Sequence, residues 1–229
     1  MTFEHVPPKR SFNNKRVKII TFDEVLNAIE QSSMPKGRFQ QKGRGGYYLC
    51  EECNNNTGSW YAEEYNKVSN GILQYLVKIE GTLPSKIRLV STEPIFVQRY
   101  FKQVITMFCD ISRNCMNDQK VKDYLLNKES NSFDTDKYRV FVFINNGSAI
   151  RHNGVGGIID LNKNKSVLIA EIIDSPLSYI LVINGKDEDL SRFGYEITDW
   201  ALFNYNDSQP IDITLPIKYI SSYVPYQMI

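Results

Sequence analysis

The chain has 229 residues, of which 42% are hydrophobic and 23% charged, a balance that suits a globular protein with a substantial core. A net charge of +1 excludes a uniformly basic nucleic-acid binder, and no apolar run nears the roughly 20 residues that span a bilayer. With no hydrophobic signal core at the N-terminus and only four cysteines, unevenly placed, the expected compartment is the reducing cytoplasm, away from membranes.

In chain order, residues 1–20 read as extended and proline-bearing, ending at Thr21-Phe22-Asp23-Glu24, a helix start that leads through Val25, Leu26 and Ile29. Met34 to Gly46, rich in glycine and basic residues, reads as a mobile loop, and Tyr47-Tyr48-Leu49 as a short strand. A helix is then entered at Cys50–Asn55, and Tyr61, Tyr65, Val68, Ile72 and Ile79 keep its period until Gly81 and Pro84. A second long helix is expected from Pro94 to Cys115, with Val97, Phe101, Val104, Phe108 and Ile111 on one stripe, and a short one from Val121 to Leu126. From Tyr138 the character changes. The β-branched and aromatic runs Tyr138–Ile144, Val167–Ile173, Tyr179–Ile183 and Ile211–Tyr219 predict an antiparallel sheet packed on the helices. His152, in a Gly- and Asn-rich turn, reads as an exposed loop residue. The fold class is α+β, divided into residues 1–80 and a helical and β-rich region from 81 to 229.

Two motifs carry chemistry. Glu4-His5-Val6-Pro7-Pro8 sets a carboxylate, able to ligate a hard cation, beside an imidazole able to take a proton from water at neutral pH. Leu49-Cys50-Glu51-Glu52-Cys53-Asn54-Asn55 sets a two-thiol knuckle and an amide at a helix start; alone, such a pair fits half a zinc site or a redox couple, and the asparagines fit helix capping. Charge is uneven around these motifs: residues 1–47 hold nine basic side chains, including Lys9, Arg10, Arg38, Lys42 and Arg44, against four acidic ones. That excess suits a phosphate backbone, and equally a solvated arm.

Together the motifs resemble the HNH (ββα-metal, treble-clef) endonucleases, closest to bacterial and phage members with Glu-His on the first strand and Cys-Asn at the helix start. The resemblance covers about residues 1–70. It implies a nuclease that hydrolyses DNA phosphodiesters, with His5 as general base and with Glu4 and Asn54 holding Mg²⁺ or Mn²⁺. It implies half of a structural Zn²⁺ site at Cys50 and Cys53, to be completed by a pair such as Cys109 and Cys115, since no Cys-x-x-Cys precedes Glu4 in this sequence. The family also orients its histidine with a residue between the motifs, for which Asn13, Asn14 and Asn27 are candidates. Phage defence or mobile-element processing would suit such an enzyme. The alternative is a non-catalytic, degenerate treble clef that binds nucleic acid or a protein partner. A small effector on the C-terminal region, at Asn145-Asn146-Gly147 or Asn184-Gly185-Lys186, is a further expectation, although both read equally as hairpin turns.

Overall fold

The computed structural model describes residues 1–79, 81–160, 165–185 and 190–222, with only the backbone described at 158–160 and 165–166. Its first strands are β1 (Phe3–His5) and β2 (Val17–Ile19), followed by helix α1 (Phe22–Glu30). Thr21 caps that helix in a reciprocal box: its Oγ1 accepts from Glu24 N, and its own N–H donates to Glu24 Oε2 at 2.7 Å. Of the nine α1 residues only Ala28 is buried, so Phe22, Leu26 and Ile29 face outward.

The segment expected to be a mobile loop holds two strands instead, β3 (Arg38–Gln40), paired with β2, and β4 (Gly45–Tyr47), paired with β1. Glycine hides β4 from propensity reasoning, because a residue without a side chain contributes nothing to a strand pattern. Helix α2 (Glu51–Val77) starts at the cysteine knuckle, with Cys50 as its N-cap and Glu51 and Glu52 in its first turn, where acidic charge complements the helix dipole.

After β5 (Lys86–Val90), the second long helix is shorter than expected. It ends as α3 (Val97–Ile111), turns at the extended Ser112, and resumes as α4 (Arg113–Asn117) before α5 (Gln119–Leu126). In α3 only Arg99 and Ile111 escape burial, so the helix is enclosed all round although its sequence is amphipathic. Helix α2, helix α5, the sheet and a 3-10 turn at Thr198–Leu202 surround it.

The sheet comprises β5, β6 (Tyr138–Asn145), β7 (Arg151–Asp160), β8 (Lys165–Ile173), β9 (Leu177–Ile183), β10 (Tyr195–Glu196) and β11 (Asp212–Lys218). Its main path runs β5-β11-β6-β9-β8-β7, with β10 attached to β6. It is mixed rather than wholly antiparallel, because β11 runs parallel to β6 at Ile217–Ile144. Residues of β6 and β9 are buried on both faces, one against the helices and the other against Leu190, Phe193 and Ile220. That two-sided cover explains why their sequences read as unbroken apolar runs. The helix-side core includes Val6, Tyr65 and Ile72 together with Phe108, Val140 and Leu181, so it crosses the expected boundary at residue 80. Among the described residues no helix is long and apolar enough to cross a membrane.

Candidate active site at the N-terminal corner

Strand β1 lies antiparallel to β4, with Glu4 opposite Gly46 and His5 opposite Gly45. Gly45 has φ +151°, and a Cβ there would lie 1.9 Å from the Glu4 carbonyl oxygen, so only glycine allows this pairing. Helix α2 then packs its first turn on β1: Asn54 Nδ2 donates to Thr2 Oγ1 at 2.9 Å and to the Phe3 carbonyl at 3.4 Å. The result is a strand–strand–helix corner that brings Glu4, His5 and Asn54 onto adjacent elements. The excursion between the two strands carries β2, α1 and β3.

Alternation along β1 sends Glu4 and His5 to opposite faces. His5 shares its face with Phe3, whose ring meets the imidazole edge-on at 5.0 Å and the Tyr47 ring at 5.5 Å. The His5 Nε2 lies 2.7 Å from the Lys42 carbonyl oxygen. A carbonyl only accepts, so Nε2 carries the proton, and in the neutral ring Nδ1 holds the free lone pair. Partial burial holds the imidazole pKa below its usual value, opposed by the Lys42 carbonyl and reinforced by the charges of Lys9 and Lys42. The ring is therefore a neutral base near pH 7.

Glu4 is half-buried on the inward face, and burial pushes its carboxyl up to about 7. It accepts no hydrogen bond among the described residues, and neither does Asn54 Oδ1. These are the oxygens a hard cation would require. Glu4 also acts by its charge on Asp110 in the last turn of α3, whose own carboxyl is raised well above the carboxylate range, first by burial and then by Glu4.

Asn13 separates from the other two central asparagines. It is wholly buried at the neck of the excursion, where Nδ2 donates to the carbonyls of Pro7 and Arg44, each at 2.7 Å, and Oδ1 accepts from Arg44 N at 2.6 Å. Asn14 and Asn27 are exposed.

The cysteines form two separate pairs. Cys50 and Cys53 have sulfurs 2.8 Å apart at the exposed start of α2, where the Cys53 thiol and backbone N–H hold Cys50 down and Cys50 pushes Cys53 up to about 11. Cys109 and Cys115 are buried in the core with sulfurs 3.3 Å apart, brought together by the turn at Ser112. Among the described residues no three His, Cys, Asp or Glu side chains gather as a metal site, so the four-thiolate completion is not assembled.

Of the expected nucleic-acid contacts, Lys9, Arg10, Arg38 and Lys42 are exposed on or beside the excursion. Arg44 departs from that expectation: its guanidinium is engaged with Asp174 at 2.8 Å and 2.9 Å. His152 likewise lies on β7 rather than in a loop, with Nε2 3.4 Å from Asp174. Of the expected effector turns, Lys186 lies outside the described residues. An apolar cavity of about 600 Å³ lies elsewhere, lined by Val68, Ile72, Tyr100, Trp200 and Leu215.

Sequence reasoning missed Asp110, Asp174 and the Lys42 carbonyl. For Asp110 a signal existed: a carboxylate set inside the apolar run Met107-Phe108-Cys109-Asp110-Ile111. Compared with protein-family models, curated proteins and solved structures, the chain matches none.

Proposed function

We propose that this protein is a metal-dependent endonuclease that hydrolyses DNA phosphodiester bonds at the β1–β4–α2 corner. The observation that carries the reading is the 2.7 Å contact from His5 Nε2 to the Lys42 carbonyl. It leaves Nδ1 of a neutral imidazole as the basic atom, while Glu4, on the other face of β1, keeps a carboxyl without a hydrogen-bond donor among the described residues. The strand–strand–helix order and the place of Asn54 on the first helical turn support the same reading.

In the proposed reaction His5 Nδ1 takes a proton from water as the water oxygen attacks phosphorus, and the bond from phosphorus to the 3′ oxygen breaks. The leaving 3′ oxygen takes up a proton from solvent, and His5 Nδ1 returns its own to solvent, which restores the neutral ring. Glu4 and Asn54 would hold Mg²⁺ or Mn²⁺, which when bound supplies Lewis-acid stabilisation of charge on the phosphate and the leaving oxygen. Asn13 acts as a positioning residue, tying Pro7 to Arg44 so that the peptide reaching His5 keeps its place. Lys9, Arg10, Arg38 and Lys42 would pair with backbone phosphates, which gives affinity and register without sequence choice.

The alternative, a non-catalytic module for nucleic acid or a protein partner, draws on the separation of the two cysteine pairs. Incubating wild type and His5→Ala with plasmid and single-stranded DNA, under Mg²⁺, Mn²⁺ and EDTA, decides between them. The expected result is metal-dependent cleavage that falls by about 10²–10⁴-fold in His5→Ala while DNA binding is retained. Undiminished cleavage by the variant overturns the assignment of the base. DNA binding with no cleavage by wild type favours the non-catalytic module.

A further inference from the structure

The apolar cavity of about 600 Å³ lies among helix α2, the paired strands β5 and β11, and the 3-10 turn at Thr198–Leu202. Its floor reaches the centre of the molecule, where Tyr100, Val142, Leu177 and Leu215 line it, none more than 2% exposed. Its mouth keeps apolar groups in solvent, Tyr75 at 47% and Val90 at 61% exposed. Protein interiors leave few voids larger than a water molecule, so a cleft of this depth is more than a packing remainder. Its volume falls in the range of about 300–1,000 Å³ that small-molecule sites occupy.

The helical wall of the cavity is open at one point. Gly71 lies in the interior of α2, where glycine is the least favourable residue after proline. A Cβ there would meet nothing within 4 Å, so packing does not demand glycine, and the room beside it belongs to the cavity.

The lining also selects a chemistry. Both of its cations already have partners: Lys67 Nζ lies 2.7 Å from Glu64, and Arg88 forks onto Asp212 at 2.8 Å and 2.6 Å. Glu93 at the exposed rim disfavours an anion in turn. An ion buried against Val142, Leu177 and Leu215 would lose its water without gaining a counter-charge. Two donors in the lining, however, have no acceptor among the described residues. They are the Trp200 indole N–H and the Ser91 hydroxyl, whose oxygen accepts from Ile211 N at 2.7 Å. Trp200 also meets the Tyr100 ring edge-on at 5.5 Å, which makes an aromatic wall.

We propose that this cavity binds an uncharged, largely apolar small molecule with an aromatic body and a carbonyl-type acceptor for Trp200 and Ser91. Glu4, His5 and Asn54 take no part in this site, which stands or falls separately from the nuclease reading.

Prodan, an uncharged naphthalene bearing a ketone, is the probe, titrated into the full chain and followed by its emission. Wild type is expected to give a saturable blue shift at one Prodan per chain. Gly71→Leu places a side chain in the cavity and should weaken binding by at least about 10-fold. Circular dichroism and a melting temperature at or above that of wild type would show that this variant folds. Trp200→Phe keeps an aromatic wall, removes the donor and should weaken binding by about 3–10-fold. It stands in if Gly71→Leu does not fold. An anilinonaphthalene sulfonate, with a fixed negative charge on a similar body, should bind more weakly than Prodan. His5→Ala should bind Prodan as wild type does. No saturable shift in wild type, a sulfonate that binds as tightly as Prodan, or affinity within twofold of wild type in either cavity variant overturns the site.

Discussion

Arg44 and Asp174, 130 residues apart in sequence, meet in a two-pronged ion pair of 2.8 Å and 2.9 Å. The aspartate side chain is 2% exposed and that of the arginine 16%. The pair fastens the return of the excursion, one residue before β4, to the turn between β8 and β9. Fork-to-carboxylate geometry of this kind is specific as well as strong.

Breaking such a pair from one side leaves a buried charge without compensation. Arg44→Met should lower stability by about 3–5 kcal/mol, and adding Asp174→Asn should recover a large part of that loss. Urea unfolding midpoints of the two single variants and the double variant measure the coupling. A loss below about 1 kcal/mol in Arg44→Met would show that the pair contributes little.

Two glycines make opposite predictions. Gly45→Ala forces a methyl group onto the Glu4 carbonyl at a backbone angle that L-residues avoid, and should cost about 2–4 kcal/mol, with loss of β1–β4 pairing. Gly58, inside α2, has nothing within 4 Å of where its Cβ would lie. Gly58→Ala should therefore stabilise by about 0.5–1 kcal/mol through helix propensity. Thermal melts of the two variants should move in opposite directions; a shared direction refutes the account.

Lys102 sets a pH dependence. It is fully buried, and its ammonium donates to the carbonyls of Asn127 at 2.9 Å and Lys128 at 3.0 Å, while burial pushes its pKa from 10.5 to about 7. Between those values the unfolded chain binds more protons than the folded one, so stability rises with pH from about 7 to 10.5. The contribution is complete above 10.5 and is lost as pH falls through 7. Lys102→Met should flatten this rise by up to about 1.4 kcal/mol per pH unit, read from urea unfolding at several pH values. Parallel pH curves for wild type and variant would contradict it.

Local signals explain which parts of this fold were legible. The capping box at Thr21 and Glu24 and the apolar runs of β6, β8, β9 and β11 each state their structure within a few residues. Strand β7 does not. Arg151-His152-Asn153-Gly154-Val155-Gly156-Gly157 has poor strand propensity and a register shift between Asn153 and Gly156, and it exists because β8 pairs with it. The turn at Ser112 was hidden for a similar reason, since the helical period runs through it. At the site, Glu4, His5 and Asn54 could be read because two short motifs hold them. Asp174 reaches the corner only through the packing of the sheet, so no local pattern announces its company with Arg44.

The His5 ring has two anchors of separate origin. Strand β1 decides where the imidazole is, while the Lys42 peptide, just before the neck closes, decides which of its nitrogens carries the proton. Sequence drift along β2 and α1 thus leaves the tautomer of His5 unchanged so long as the Lys42 carbonyl still meets Nε2. The protonation pattern of the histidine is a matter of how a loop ends rather than of what the loop contains.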